Sequence, residues 1–319
     1  MPSDNPTTVS QLGEFELINR FTDGLIMPGA ISIGPGDDAA CFIPDGSCVV
    51  STDMFVEGVH FRLNWCEPDD VGHKAVAAAV ADIEAMGASP LGITVSLGVP
   101  RDTELAWLDK FNEGLRAEFA RAGAMLIGGD IVQAPVVVVS VTAVGETPLE
   151  PVQRIGAEPG ELVAFAGRLG WAAAGLAALG RGFRSPKAVV DAYRRPEVPY
   201  GQGREAALAG ATAMIDVSDG LLADLGHIAS LSGVAINLDA DAFEVPEPVN
   251  AVGLALGVDP LTYVLSGGED HALVATFDPD DVPPMWTIIG QVLPRGVAAA
   301  GHVLIDGMPW GATDGWSHF

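Results

Sequence analysis

Short apolar runs in this chain repeatedly give way to aspartate or glutamate in the company of glycine, serine or threonine, and that recurrence limits the folds open to it. Cys48–Val50 leads into Ser51, Thr52 and Asp53; Met125–Ile127 leads into Gly128, Gly129 and Asp130. Ala213–Ile215 leads into Asp216, Val217, Ser218 and Asp219, and Leu265-Ser266 into Gly267, Gly268, Glu269 and Asp270. The first of these belongs to a compact unit, Gly34 to Phe61, that opens with Gly34, Pro35 and Gly36, presents Asp37 and Asp38 and turns at Pro44-Asp45-Gly46. Glycine lets backbone approach a ligand closely, and Pro-Asp-Gly initiates a turn. An Asp-Asp dipeptide alone is an ordinary solvated turn. Gathering carboxylates is another matter: two of them about 4 Å apart repel by roughly 1 kcal/mol in water and about 4 at an effective dielectric of 20. A hard cation relieves that repulsion, and magnesium completes its shell with water and phosphate oxygens.

The balance of charge agrees. The chain has 319 residues, 42 acidic against 16 basic, for a formal net charge of −26. Such a field disfavours nucleic acid and anionic membrane as partners, and a nucleotide would need metal ions to neutralise its phosphates. Hydrophobic residues at 49% with charged residues at 18% describe a folded chain long enough for two domains. Cys41, Cys48 and Cys66 form no CxxC pair, which fits a reducing compartment. The first ten residues are polar and no apolar run approaches the ~18 residues of a membrane span, so the expected location is cytoplasmic.

Read in order, Glu14–Phe21 is a short amphipathic helix with Phe15, Leu17, Ile18 and Phe21 for its apolar face. Pro68-Asp69-Asp70 starts a helix that runs through an alanine-rich stretch to Gly87 and carries Asp82 on an apolar face. An unpaired buried aspartate is expensive, so Asp82 either meets a wet, metal-bearing site or caps something locally. Leu91–Val99 is a strand, Thr103–Ala122 a helix stopped by Gly123, and the valine-rich Val136–Val144 a central strand. Glu146–Gly160, rich in proline and charge, holds the boundary between domains 1–148 and 149–319. In the second half the glycines after Leu162–Ala166 lack the GxGxxG spacing of a dinucleotide loop. Ser218 or Asp219 is expected to cap the helix beginning at Leu221. No Walker A loop or protein-kinase motif set occurs, so the acids point to multi-metal phosphate chemistry on another scaffold.

The segments GDDAA, STDMFVEGVHF, ADIEAMGA, MLIGGD, RIGAEPG, YRRP, MIDVSDGLLADLGHI, SGGED and GWSHF, in this order along nearly the whole chain, resemble the thiamine-monophosphate kinases. That family belongs with AIR synthetase, selenophosphate synthetase and a hydrogenase maturation factor. The resemblance implies a two-domain α+β, AIR-synthetase-like fold, with a mixed-sheet N-terminal domain that binds ATP and metal and forms a homodimer. An α/β C-terminal domain would complete the active site. It implies magnesium-dependent transfer of the ATP γ-phosphoryl group to thiamine monophosphate, with room for potassium as a further cofactor. Asp38, Ser51, Thr52, Asp53, Asp82, Asp130, Asp216 and Asp219 match the family's metal positions. Gly129, Asp130, Arg154 and Ser218 match its ATP contacts, and His60, Glu269 and Trp316 its substrate contacts. In-line transfer between phosphates needs positioning and charge neutralisation, so no general base is assigned.

Ala79, Ala81, Ile131, Gln133 and His271 depart from the family pattern and bear on the support behind the ligands. Selenophosphate synthesis usually requires a Cys and a Lys near the N-terminus, and the first 40 residues have neither. The thiocarboxamide-forming enzyme needs a C-terminal cysteine, whereas this chain ends in Phe319. AIR synthesis and a non-catalytic acidic metal- or nucleotide-binding protein remain as rivals, and ATP turnover with a defined acceptor separates them.

Overall fold

The structure, a computed structural model, describes residues 7–27 and 29–311. By its internal contacts the chain groups into two compact units, Met1–Ile83 with Pro90–Pro148, and Glu84–Ser89 with Leu149–Phe319.

The first unit contains α1 (Glu14–Thr22), β1 (Ile31–Ile33), β2 (Cys41–Phe42), β3 (Ser47–Val56), α2 (Pro68–Ala85), β4 (Ser89–Val99), α3 (Leu105–Ala122), β5 (Met125–Gln133) and β6 (Val138–Thr147). A four-stranded sheet runs in the order β3-β6-β4-β5, antiparallel between β3 and β6 and parallel between β4 and β5. The valine-rich β6 is an inner strand, as its composition predicts. Along β3 the half-buried positions Val49, Ser51 and Asp53 and the buried Phe55 alternate with exposed Val50, Thr52 and Met54. Alanines of α2 are almost entirely buried, the small side chains allowing close packing. In α1, Leu17 is buried but Phe15 is 79% exposed, so the apolar face is narrower than its spacing suggests.

Two expectations about this unit are corrected. Asp53 and Asp130 do not end their strands: β3 continues to Val56 and β5 to Gln133. The Gly128-Gly129 pair, read as a breaker, is part of the β4–β5 ladder. The register shifts by one residue opposite Ile93/Thr94, and beyond it Gly129 pairs with Val95. A Cβ on Gly129 would meet the Val95 carbonyl oxygen at 2.1 Å, so only glycine lets the strands close there.

The second unit contains β7 (Leu162–Ala166), α4 (Trp171–Gly180), α5 (Lys187–Arg194), α6 (Gln202–Leu208), β8 (Ala213–Val217), α7 (Leu221–Ser232), β9 (Ile236–Leu238), α8 (Glu247–Leu256), α9 (Pro260–Ser266), β10 (Ala272–Phe277), β11 (Thr287–Val292), β12 (Val303–Ile305) and β13 (Met308–Pro309). Its seven-stranded sheet has the order β13-β12-β9-β11-β7-β10-β8. Neighbouring strands pair antiparallel except for β12 with β9, which is parallel. Leu221, Leu225 and Ile228 of α7 pack with Ile215, Val217 and Val274 in one core. The antiparallel pairing of β8 with β10, Val217 opposite Ala272, places the loop after β8 beside the loop before β10. Glu84 groups with this unit too: its buried carboxylate accepts the backbone N–H groups of Gly201 at 3.0 Å and Gly203 at 3.1 Å. No single helix among the described residues is long and apolar enough to cross a membrane; α8 and α9 pass that test only as a pair bent by 115°.

Candidate functional site

In the first unit the structure brings Ser51 and Asp82 together. The Ser51 hydroxyl donates to Asp82 Oδ2 at 2.5 Å, giving the α2 aspartate the polar partner its apolar surroundings require. Asp53 follows Ser51 on the same face of β3. Thr52 does not join them: its side chain lies on the opposite face, where Oγ1 donates to the Val141 carbonyl at 3.2 Å and lies 3.0 Å from Thr142 Oγ1. Asp130 is exposed on β5, and its Oδ1 accepts the Ile131 N–H at 2.8 Å. Because β3 and β5 are the two edge strands of the order β3-β6-β4-β5, two strands lie between Asp53 and Asp130. Asp38 is exposed in the loop between β1 and β2.

His60 is half-buried in the turn after β3. Its Nδ1 accepts the Val56 N–H at 3.1 Å, so the ring hydrogen is on Nε2, where it can donate to an anionic group. The Phe55 ring meets the imidazole edge-on at 5.8 Å between centroids and fixes its plane.

The second unit holds a tighter constellation. Asp216 is buried near the end of β8, and His271 Nδ1 lies 3.2 Å from its Oδ2. Ser218 and Asp219 are half-buried in the following loop. Neither caps α7. The cap residue is Gly220, with φ +130°, and Asp224 in the first turn supplies the carboxylate. Asp224 Oδ2 accepts the N–H groups of Ser218, Asp219 and Gly220 at 3.1, 3.1 and 3.0 Å. Burial, with Asp216 close by, pushes the Asp224 carboxyl up to about 7 against the pull of those N–H groups.

The loop before β10 locks onto this one. The Glu269 N–H donates to the Ser218 carbonyl at 2.8 Å, and the His271 N–H to the Val217 carbonyl at 3.0 Å. A Cβ on Gly268 would meet the Ser218 oxygen at 2.2 Å, which explains why glycine precedes Glu269. Glu269 and His271 have φ of +67° and +52°, rare for residues with side chains. Between them Asp270 is buried; its two oxygens accept the Gly170 and Ala172 N–H groups at 2.6 and 2.7 Å, at the start of α4. Burial also pushes this carboxyl up to about 7. Arg154 is exposed in the segment before β7.

The predicted Trp316 lies outside the described residues. Asp224 and Asp270 were not among the predicted site residues, although each holds a loop that carries one. An acid in a first helical turn directly after two other acids is the signal that could have found Asp224.

Among the described residues no three His, Cys, Asp or Glu side chains converge closely enough to hold an ion. Magnesium does not need such a cage, since one or two carboxylates plus substrate phosphates satisfy it. The hard oxygen donors of Asp53, Asp82, Asp130 and Asp216 fit that chemistry.

Residues 36–147 match the AIR synthase related protein N-terminal domain, and residues 158–301 its C-terminal domain. The chain is 46% identical over 322 residues to the thiamine-monophosphate kinase of Mycobacterium tuberculosis, covering 100% of this chain and 95% of the relative. It is 37% identical to that of Corynebacterium glutamicum, with coverages of 99% and 96%. The crystal structure of thiamine-monophosphate kinase from Stenotrophomonas maltophilia K279a superposes with a TM-score of 0.79 at 30% identity, over 93% of this chain and 96% of that one. AaThiL complexed with AMPPCP and TMP gives 0.78 at 30% identity, over 99% and 100%.

Proposed function

The chain belongs to the thiamine-monophosphate kinase family, built from the two AIR synthase related domains, and from that premise we propose that it transfers the γ-phosphoryl group of ATP to thiamine monophosphate, yielding ADP and thiamine diphosphate. The observation that carries this reading is 46% identity to a thiamine-monophosphate kinase over 100% of this chain.

Residues 1–148 are assigned to ATP and metal binding, and residues 149–319 to the remaining ligand contacts. Magnesium, when bound with the nucleotide, neutralises phosphate charge and orients the transferring group. Asp38, Ser51, Asp53, Asp82 and Asp130 are its ligands from the first half, with Thr52 contributing through its main chain. Asp216 and Asp219 are its ligands from the second. Gly129 offers backbone to the nucleotide, Arg154 forks onto phosphate oxygens, and the Ser218 hydroxyl donates to them. His60, with its hydrogen on Nε2, donates to the phosphate of thiamine monophosphate. Glu269 opposes the positive thiazolium, and Trp316 covers it by cation–π attraction. No residue is assigned to proton abstraction, because a phosphate oxygen is already a nucleophile.

Val50 and Met54, 60% and 58% exposed on the open face of β3, support a homodimer formed through the first-unit sheet. None of Cys41, Cys48 and Cys66 forms a disulfide, which supports a cytoplasmic location. The test is an acceptor panel: purified protein, ATP and Mg²⁺, with and without potassium, given thiamine monophosphate, selenide or formylglycinamidine ribotide. The reading expects ATP consumption with thiamine monophosphate alone. Consumption with either other acceptor instead would overturn it.

A further inference from the structure

We propose that His271 is a positioning residue for this reaction, holding the Asp216 carboxylate by one oxygen so that the other is left for a cation. The proposal rests on the reading of Asp216 as a metal ligand. A carboxylate oxygen only accepts, so the contact of 3.2 Å between His271 Nδ1 and Asp216 Oδ2 places the ring hydrogen on Nδ1. Among the described residues this is the one hydrogen-bond donor to the Asp216 side chain, although Asp216 is 3% exposed. With a donor on only one oxygen, the carboxylate has its other oxygen left for a positive partner.

The backbone gives an independent reason to assign the ring a task. His271 has φ +52°, a conformation that glycine adopts without penalty and histidine does not. Such strain persists only where the surroundings over-determine it. Here the His271 N–H is tied to the Val217 carbonyl at 3.0 Å, and its neighbour Asp270 is clamped to the N–H groups of Gly170 and Ala172. The next residues continue as β10, where Leu273 pairs with Asp216 itself. The ring is therefore carried by the strand beside its target, in a frame with little freedom to shift. Partners of this kind behind a metal ligand typically change metal affinity by about 10–100-fold when removed.

Three proteins test this: wild type, His271→Gly and His271→Asn. Glycine removes the donor while suiting the backbone. Asparagine tolerates a positive φ and places an amide N–H near the position of Nδ1. Two quantities are measured beside a thermal melt: the Mg²⁺ concentration giving half-maximal turnover, and Mn²⁺ affinity by calorimetry with a non-hydrolysable ATP analogue and no acceptor. The expected result is a loss of about ten-fold or more in both for His271→Gly, with the KM for thiamine monophosphate unchanged, and recovery to within about three-fold for His271→Asn. Metal affinities of His271→Gly within two-fold of wild type would overturn the proposal. So would equal losses in the two variants, which would make the ring a packing element. If wild type fails to phosphorylate thiamine monophosphate, the kinase reading falls, while the Mn²⁺ measurement still decides the role of His271.

Discussion

Replacing Asp224 separates a hydrogen-bonding role from a charge role, because the two predict different variants to matter. All three N–H donors of the Ser218–Gly220 loop converge on one oxygen, Oδ2. Asp224→Ala leaves them without that acceptor. Gly220 is buried, so its N–H loses about 1–3 kcal/mol, while those of half-buried Ser218 and Asp219 recover part of their loss from water. The sum is roughly 2–4 kcal/mol, or a fall of about 5–15 °C at 2–4 °C per kcal/mol for a unit of this size. Asp224→Asn keeps an oxygen in place and should lose less than half as much. Charge enters through pH. Burial moves the carboxyl from 3.8 to about 7, so between those values the folded state holds a proton that the unfolded state has released. Stability from this group is therefore fully present below pH 3.8 and is lost as pH rises through about 7. Asparagine cannot titrate. The wild-type advantage over Asp224→Asn should therefore be larger at pH 5 than at pH 8, by roughly 2–3 kcal/mol. Thermal melts of the three proteins at both pH values read this directly. Equal destabilisation by Ala and Asn would refute the acceptor argument, and a pH-independent gap between wild type and Asn would refute the buried-acid argument.

Other perturbations have equally definite outcomes. Ser51→Ala removes the hydroxyl donated to Asp82 and should raise the Mg²⁺ requirement by about ten-fold with a melting temperature close to wild type; an unchanged Mg²⁺ titration would remove that pair from the site. Gly129→Ala drives a Cβ against the Val95 carbonyl and should cost about 1–3 kcal/mol in urea unfolding, so a neutral result would contradict the close β4–β5 pairing. Trp316→Ala should raise the KM for thiamine monophosphate by roughly ten-fold and leave that for ATP unchanged, since cation–π attraction is worth ~0.5–2 kcal/mol. A parallel rise in both KM values would make Trp316 a packing residue.

Periodicity made the helices and most strands readable. The leucines of α3 recur at helical spacing and Gly123 closes it in the left-handed conformation, φ +72°. What local pattern could not supply was the partner across space. Gly128-Gly129 has the composition of a break, yet becomes a register shift because β4 lies alongside to accept it. Ser218 and Asp219 have the chemistry of a helix cap, but their backbone N–H groups are the donors and the acceptor comes from Asp224, inside the helix. The candidate acids were visible as residue types at glycine-flanked positions. Thr52 stands beside Ser51 and Asp53 among the positions that the family resemblance marks, and strand alternation turns its side chain to the other face. His271 stood out only as a departure from the family pattern; its contact with Asp216 depends on the pairing of β8 with β10.

Transfer of isotope from ATP tests the central claim most directly. ATP labelled at the γ-phosphorus with ³²P is incubated with the protein, Mg²⁺ and thiamine monophosphate, and the products are resolved by chromatography. The account predicts that the label moves into thiamine diphosphate in equal amount to the ADP formed, with no orthophosphate released in step with the acceptor, and that Asp130→Asn abolishes the transfer. Label recovered as orthophosphate, with thiamine monophosphate unchanged, would contradict it.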